Sequence, residues 1–138
     1  MACKYLNELG MPCYCTKEQW DFLENKANFK TLCEQFGLPM AKRYQYPTID
    51  HDYAQIVFPV ITKPTDGSGS NGFSVGNNLE ELRKGYETAK KESPSGRAIV
   101  EKFVKNDSVV AFYTFSNGKM FFSGIEEKFP IHYEEQGR

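Results

Sequence analysis

The stretch ITKPTDGSGSNGFSV, Ile61 to Val75, constrains the fold more than any other part of the chain. A β-forming apolar run, IVFPVIT, ends at Lys63, and the lysine opens onto a loop that holds Gly67, Gly69 and Gly72. The chain must therefore set a buried strand directly beside a loop with exposed backbone. Glycine permits positive φ and leaves N–H groups open to a ligand. Successive open N–H groups form a concave anion site, and a neighbouring ammonium adds a point charge. Pro59 inside the apolar run predicts an edge position or an irregularity. A P-loop is excluded, because its lysine follows the glycines and Lys63 precedes them. The three glycines do spell G-x-G-x-x-G, but FSVGN after them reads as extended, which excludes the helix of a dinucleotide fingerprint. By itself the stretch fits either a flap over phosphates or a solvated β-hairpin with a long tip.

A chain of 138 residues suggests one domain, enough to bury roughly two-thirds of its unfolded surface. With 40% apolar and 25% charged residues the mixture is that of an ordinary globular protein. A net charge of -1 exerts no global pull towards nucleic acid. Stacking on single strands would need basic residues among the aromatics of VVAFYTFS and KMFFSGI, and only Lys119 is there. No apolar run approaches the roughly 18 residues of a membrane span, and MACKYLNELG lacks the apolar core of a signal peptide. A cytoplasmic location is the expectation. Cys13 and Cys15 stand at a spacing that suits neither zinc nor a redox pair. With Cys3 and Cys33 they read as thiols in a reducing compartment. His51 and His132 lie in polar stretches without a ligand pattern and read as surface histidines.

The periodicity predicts a short helix over 3–9 stopped by Gly10, an extended MPCYCT, and a helix begun by Thr16 and Gln19 as a capping box with Trp20 and Leu23 on its apolar side. A helix over 25–36 follows, with Phe29, Leu32, Cys33 and Phe36 on one face and Gly37 at its end. AKRYQY reads as a strand. After the glycine loop, Asn77 or Asn78 caps a helix with Leu79, Leu82, Tyr86 and Ala89 on one side. RAIVEKFV is the next strand, and Asn117-Gly118 joins two more in a hairpin. Alone, RAIVEKFV fits an ordinary strand whose Glu101 and Lys102 face water.

The ordered set NKANFKTLCEQFGLPMAKRY, FPVITKPTDGSGSNGFSV, NNLEELRKGYETAKK and AIVEKFV resembles the ATP-grasp superfamily, in particular the carbamoyl phosphate synthase large-chain type. The likeness extends from about Tyr5 to Ile125. It implies an α/β (α+β) fold: the lid subdomain, a mostly antiparallel sheet with helices packed on one side. Residues 1–24 correspond to the end of a preceding domain, 25–104 to the nucleotide-binding lid, and 105–138 to the start of the C-terminal subdomain.

By that resemblance Lys26 and Lys63 are the two phosphate lysines. Asn25 stands where the family often has Asp. Gly67, Ser68, Gly69, Ser70, Asn71 and Gly72 match the flap over the β- and γ-phosphates. Glu101 opens the adenine hinge, the Lys102 carbonyl and the Val104 N–H read the adenine edge, and Asp107 is the candidate partner of the ribose hydroxyls.

The ligand implied is ATP with Mg²⁺, the ion's ligands being expected in a C-terminal part that is missing here, since Glu126 and Glu127 sit too close to the hairpin. No catalytic residue or metal ligand is assigned within the chain. HYEEQGR ends without turn or cap, so an excised piece of a larger enzyme is expected. Its parent would be an ADP-forming carboxylate–amine ligase with an unidentified carboxylate substrate, and the isolated chain would be inactive and prone to self-association. A non-catalytic nucleotide module using the same lid is the alternative. A third reading is an interaction domain with an incidental glycine loop.

Overall fold

The computed structural model describes residues 2–46, 53–67, 69, 71–105 and 109–127. His51, Ser68, Ser70, Asp107 and His132 lie outside them. The chain divides into two compact units, Met1–Phe103 and Val104–Arg138. The first unit holds helices α1 (Ala2–Glu8), α2 (Lys17–Glu24), α3 (Lys26–Gln35) and α4 (Leu79–Glu92), and strands β1 (Arg43–Tyr44), β2 (Val60–Pro64), β3 (Ser74–Gly76) and β4 (Ala98–Lys102). A short 3₁₀ turn covers Tyr53–Gln55. The second unit holds β5 (Val109–Ser116) and β6 (Lys119–Glu127). No helix among the described residues is long and apolar enough to cross a membrane.

The four strands form an antiparallel sheet in the order β1-β4-β2-β3. β2 is thus an interior strand, so of the two outcomes expected from Pro59 the structure shows the irregularity and not the edge position: the Phe58–Pro59 peptide bond is cis. Pro59 lies just before β2 begins, where its missing N–H interrupts no ladder. The glycine loop connects β2 to β3, which pair with each other, so flap and hairpin tip describe the same antiparallel unit. MPCYCT, expected to be extended, pairs with no strand among the described residues and serves as a connection into the capped start of α2.

α4 packs across one face of the sheet. Its Leu82, Tyr86 and Ala89 are buried, at the spacing that aligns them on one side of a helix. Leu82 and Tyr86 form the core with Tyr44, Val60 and Val100. Gly85 lets the helix come close: a Cβ there would lie 2.7 Å from Thr62 Oγ1 and 2.9 Å from Ser74 Cβ. Asn78 is the N-cap of α4 and accepts from the Glu81 N–H at 3.0 Å. Thr16 and Gln19 form the expected capping box at α2.

The face expected to bury α3 is less buried than its periodicity suggests. Cys33 is buried, but Phe29 and Phe36 are exposed. Trp20 and Leu23 of α2 are likewise exposed. An apolar stripe states what a helix could bury, and on α2 and α3 it stays largely uncovered.

In the second unit β5 and β6 pair as an antiparallel hairpin closed by Asn117 and Gly118, both with positive φ. The ladder shifts register between Phe112 and Tyr113. Phe115, Phe121, Phe122 and Ile125 are all exposed on it.

Candidate functional site

Side chains alternate across a strand. Thr62 meets Gly85 of α4, so Ile61 and Lys63 of β2 point to the opposite face. There they meet Glu101 and Ile99, their partners on β4. This second face carries Lys63 and Glu101. Glu101 is 2% exposed, the most deeply buried carboxylate described. Its Oε2 lies 2.6 Å from Lys63 Nζ, and its Oε1 lies 2.8 Å from Lys30 Nζ. The Lys30 contact is an ion pair without hydrogen-bond alignment, so Oε1 makes no aligned hydrogen bond. Burial pushes the Glu101 carboxyl upward, but the two lysines outweigh it and hold it below the ordinary carboxylate range.

The expectation that Glu101 and Lys102 face water as an ordinary strand does not hold. Glu101 points inward, and Lys102 Nζ donates to the Phe58 carbonyl at 2.8 Å. A local pattern could not reveal this, because the partners of both side chains come from distant segments.

Beside Lys63 opens a cavity of about 600 Å³, lined among others by Lys26, Asp66, Gly67, Gly69 and Asn71. Lys26 reaches it from the first turn of α3. Its Nζ donates to the Gly67 carbonyl at 3.2 Å, and its N–H donates to the Thr65 carbonyl at 2.7 Å. The start of α3 is thus fastened to the start of the loop. Asn25 caps α3 by accepting from the N–H groups of Ala27 (3.0 Å) and Asn28 (3.2 Å). Asp and Asn both cap helices well, so an Asn can hold this position.

The two feet of the loop are fixed to the end of α4 and the turn after it. Asp66 accepts from the Ser93 hydroxyl, from the Ser95 hydroxyl at 3.1 Å and from the Ser95 N–H at 3.1 Å. Burial raises the Asp66 carboxyl, and these hydrogen bonds, with one from Thr65, lower it further than burial raises it. The Thr65 N–H and hydroxyl both donate to the Arg97 carbonyl, at 3.0 and 3.2 Å. At the other foot Gly72 presses on α4: a Cβ there would lie 2.6 Å from Glu92 Cβ. Gly67, Gly69 and Gly72 all have positive φ, at 107°, 78° and 72°.

Of the residues singled out in the sequence, Lys26, Lys63, Gly67, Gly69 and Asn71 meet at one cavity. Gly72 packs beside it. Glu101 joins through Lys63. The Lys102 N–H donates to the Lys42 carbonyl at 2.8 Å, and the Phe103 N–H to the Pro59 carbonyl at 3.0 Å. Val104 is exposed and begins the second unit. Lys30, Asp66, Ser93 and Ser95 were not anticipated. The only local signal for Lys30 was its place one helical turn after Lys26.

Residues 25–112 match the family described as carbamoyl-phosphate synthase L chain, ATP binding domain. The chain belongs to that family. Solved structures share the fold. D-alanyl-alanine synthetase A from Vibrio cholerae O1 biovar eltor is 22% identical, with a TM-score of 0.76 over 95% of this chain and 43% of that one. VanG D-Ala:D-Ser ligase from Enterococcus faecalis is 18% identical, with a TM-score of 0.72 over 86% of this chain and 36% of that one. The biotin carboxylase domain of the Hydrogenobacter thermophilus 2-oxoglutarate carboxylase, solved with MgADP, ADP and bicarbonate, is 22% identical, with a TM-score of 0.69 over 91% of this chain and 30% of that one. The chain thus spans less than half the length of each of these three structures, and its fold is that of ATP-grasp proteins.

Proposed function

We propose that the chain binds the phosphates of ATP in the cavity beside Lys63, as the lid of an ATP-grasp ligase. The observation that carries this reading is the convergence of Lys26 and Lys63 on a cavity edged by a loop with positive-φ glycines. Two ammonium groups and open backbone N–H groups suit an anion. Ser68 and Ser70 would complete the loop, and Gly72 would keep it against α4. The peptide groups of Lys102 and Val104 would read the adenine, with Asp107 at the ribose.

In the ligase, ATP would phosphorylate a carboxylate, and an amine or similar nucleophile would then take the acyl group. The carbamoyl phosphate synthase type is the finer reading we favour, supported by the family match over residues 25–112. What this chain contributes is neutralisation of phosphate charge and exclusion of water over the transferred group. Mg²⁺ would accompany ATP and offset phosphate charge. Among the described residues no group of three or more His, Cys, Asp or Glu side chains gathers at one point. A cytoplasmic setting suits such a ligase, and no nucleic-acid or membrane partner enters the reading.

An NMR titration of the chain with ATP tests it. Resonances of Lys26, Lys63, Gly67 and Gly69 should shift together and saturate. Shifts confined to other surfaces, or none at millimolar ATP, would favour an interaction domain with an incidental loop.

A further inference from the structure

Glu101 is a single carboxylate shared by two ammonium groups, Lys63 at 2.6 Å and Lys30 at 2.8 Å. The three side chains are mostly withdrawn from water, at 3% exposure for Glu101, 16% for Lys30 and 26% for Lys63. Lys63 lines the cavity and Lys30 does not. The cluster therefore has one member that faces the cavity, one that is buried, and one behind.

A carboxylate with one ammonium partner makes a neutral pair, and a neutral pair attracts an anion weakly. A second ammonium on the other oxygen leaves the cluster with one net positive charge. In a partly desolvated site one charge at a few ångströms changes an interaction by an energy that decides affinity. Lys30 is held where it can do this. It lies on α3 one turn after Lys26, and the first turn of α3 is fastened to the loop through the Lys26 N–H and the Thr65 carbonyl.

We propose that Lys30 is a positioning residue for phosphate: by occupying one oxygen of Glu101 it leaves Lys63 a charge to offer the cavity. The inference rests on the phosphate reading of that cavity. It differs from a purely structural role for Lys30, which would be to neutralise a buried carboxylate so that the sheet folds. A structural role predicts lost stability. The positioning role predicts that affinity follows the net charge of the three residues.

The test uses tripolyphosphate as the probe, titrated by NMR into the chain and into Lys30→Met, Lys30→Arg and the double variant Lys30→Met/Glu101→Gln, with thermal unfolding followed for each. Lys30→Met should weaken binding about tenfold, the scale of one partly screened charge. Lys30→Arg keeps the charge and should bind within about threefold of the parent. The double variant restores one net positive charge at Lys63 and removes the stranded carboxylate, so it should recover most of the affinity. It also decides the matter should Lys30→Met fail to fold. A folded Lys30→Met that binds as the parent does, or a folded double variant that binds no better than about a tenth as well, overturns the positioning role and leaves the phosphate reading intact. A parent chain that does not bind tripolyphosphate overturns the phosphate reading, and this inference with it.

Discussion

The Oε2 atom of Glu101 lies 2.6 Å from Nζ of Lys63, inside a sheet where Glu101 is 2% exposed. The two stand on neighbouring strands, with Lys30 closing the cluster from α3. Removing the carboxylate strands two ammonium groups in poorly hydrated surroundings. Breaking a buried pair in this way costs about 3–5 kcal/mol. Glu101→Ala should therefore lower stability by about 3 kcal/mol, less the relief available to Lys63 at the cavity mouth. Urea unfolding measures it, and a change below about 0.5 kcal/mol would show that the cluster adds little to the fold.

Acid should act through the same carboxylate and through Asp66. Both are held below their ordinary values. A depressed group contributes stability that is present above its unfolded pKa, near 4, and is lost as pH falls through its folded pKa. The urea midpoint should stay nearly flat from about pH 7 to 5 and fall below about pH 4. Asp66→Asn should start lower and fall less. An Asp66→Asn midpoint with the parent's full acid slope would mean that the bonds to Ser93 and Ser95 do not set this dependence.

These charges also mark where sequence reading stopped. α4 was legible because Leu82, Tyr86 and Ala89 recur at the period of the face they bury; its cap could be read only as Asn77 or Asn78, and the structure decides for Asn78. The Asn117-Gly118 hairpin was legible because that turn needs two residues with positive φ. Lys63 and the loop glycines stood out because their chemistry is local. The inward turn of Glu101 was not legible, because AIVEKFV has no alternation to say which face is buried and its partners come from α3 and β2. Nor was the Asp66 anchor, whose donors follow α4. The apolar stripe of α3 misled, since a stripe states what could be buried and not whether a surface is there to bury it.

Gly85 permits a contact that side chains elsewhere would forbid. A Cβ at that position would meet Thr62 Oγ1 at 2.7 Å and Ser74 Cβ at 2.9 Å, against a strand that cannot retreat. Alanine gains about 1 kcal/mol of helix propensity over glycine. Overpacking costs about 1–3 kcal/mol. Gly85→Ala should thus be destabilising on balance, and thermal unfolding that shows a gain would mean α4 can lift from the sheet at little cost.

The β5–β6 hairpin exposes Phe115, Phe121, Phe122 and Ile125. Two strands alone are marginal in water, and contiguous apolar surface seeks cover. The expected occupant is a second copy of the same chain. Light scattering should show a mass that rises with concentration, and Phe122→Lys should reduce it. A chain that stays monomeric at about 1 mM would contradict this.

The most direct test of the central claim compares ATP and adenosine binding to the chain and to Lys63→Ala. Lys63 faces the cavity from the floor of the loop, and an ammonium near triphosphate in a partly desolvated site contributes on the order of 1–4 kcal/mol. Adenosine carries no phosphate to sense it. The account predicts that Lys63→Ala loses ATP affinity by that amount and leaves adenosine unchanged. Equal losses for the two ligands would contradict it and would mean that Lys63 acts through the fold and not through its charge.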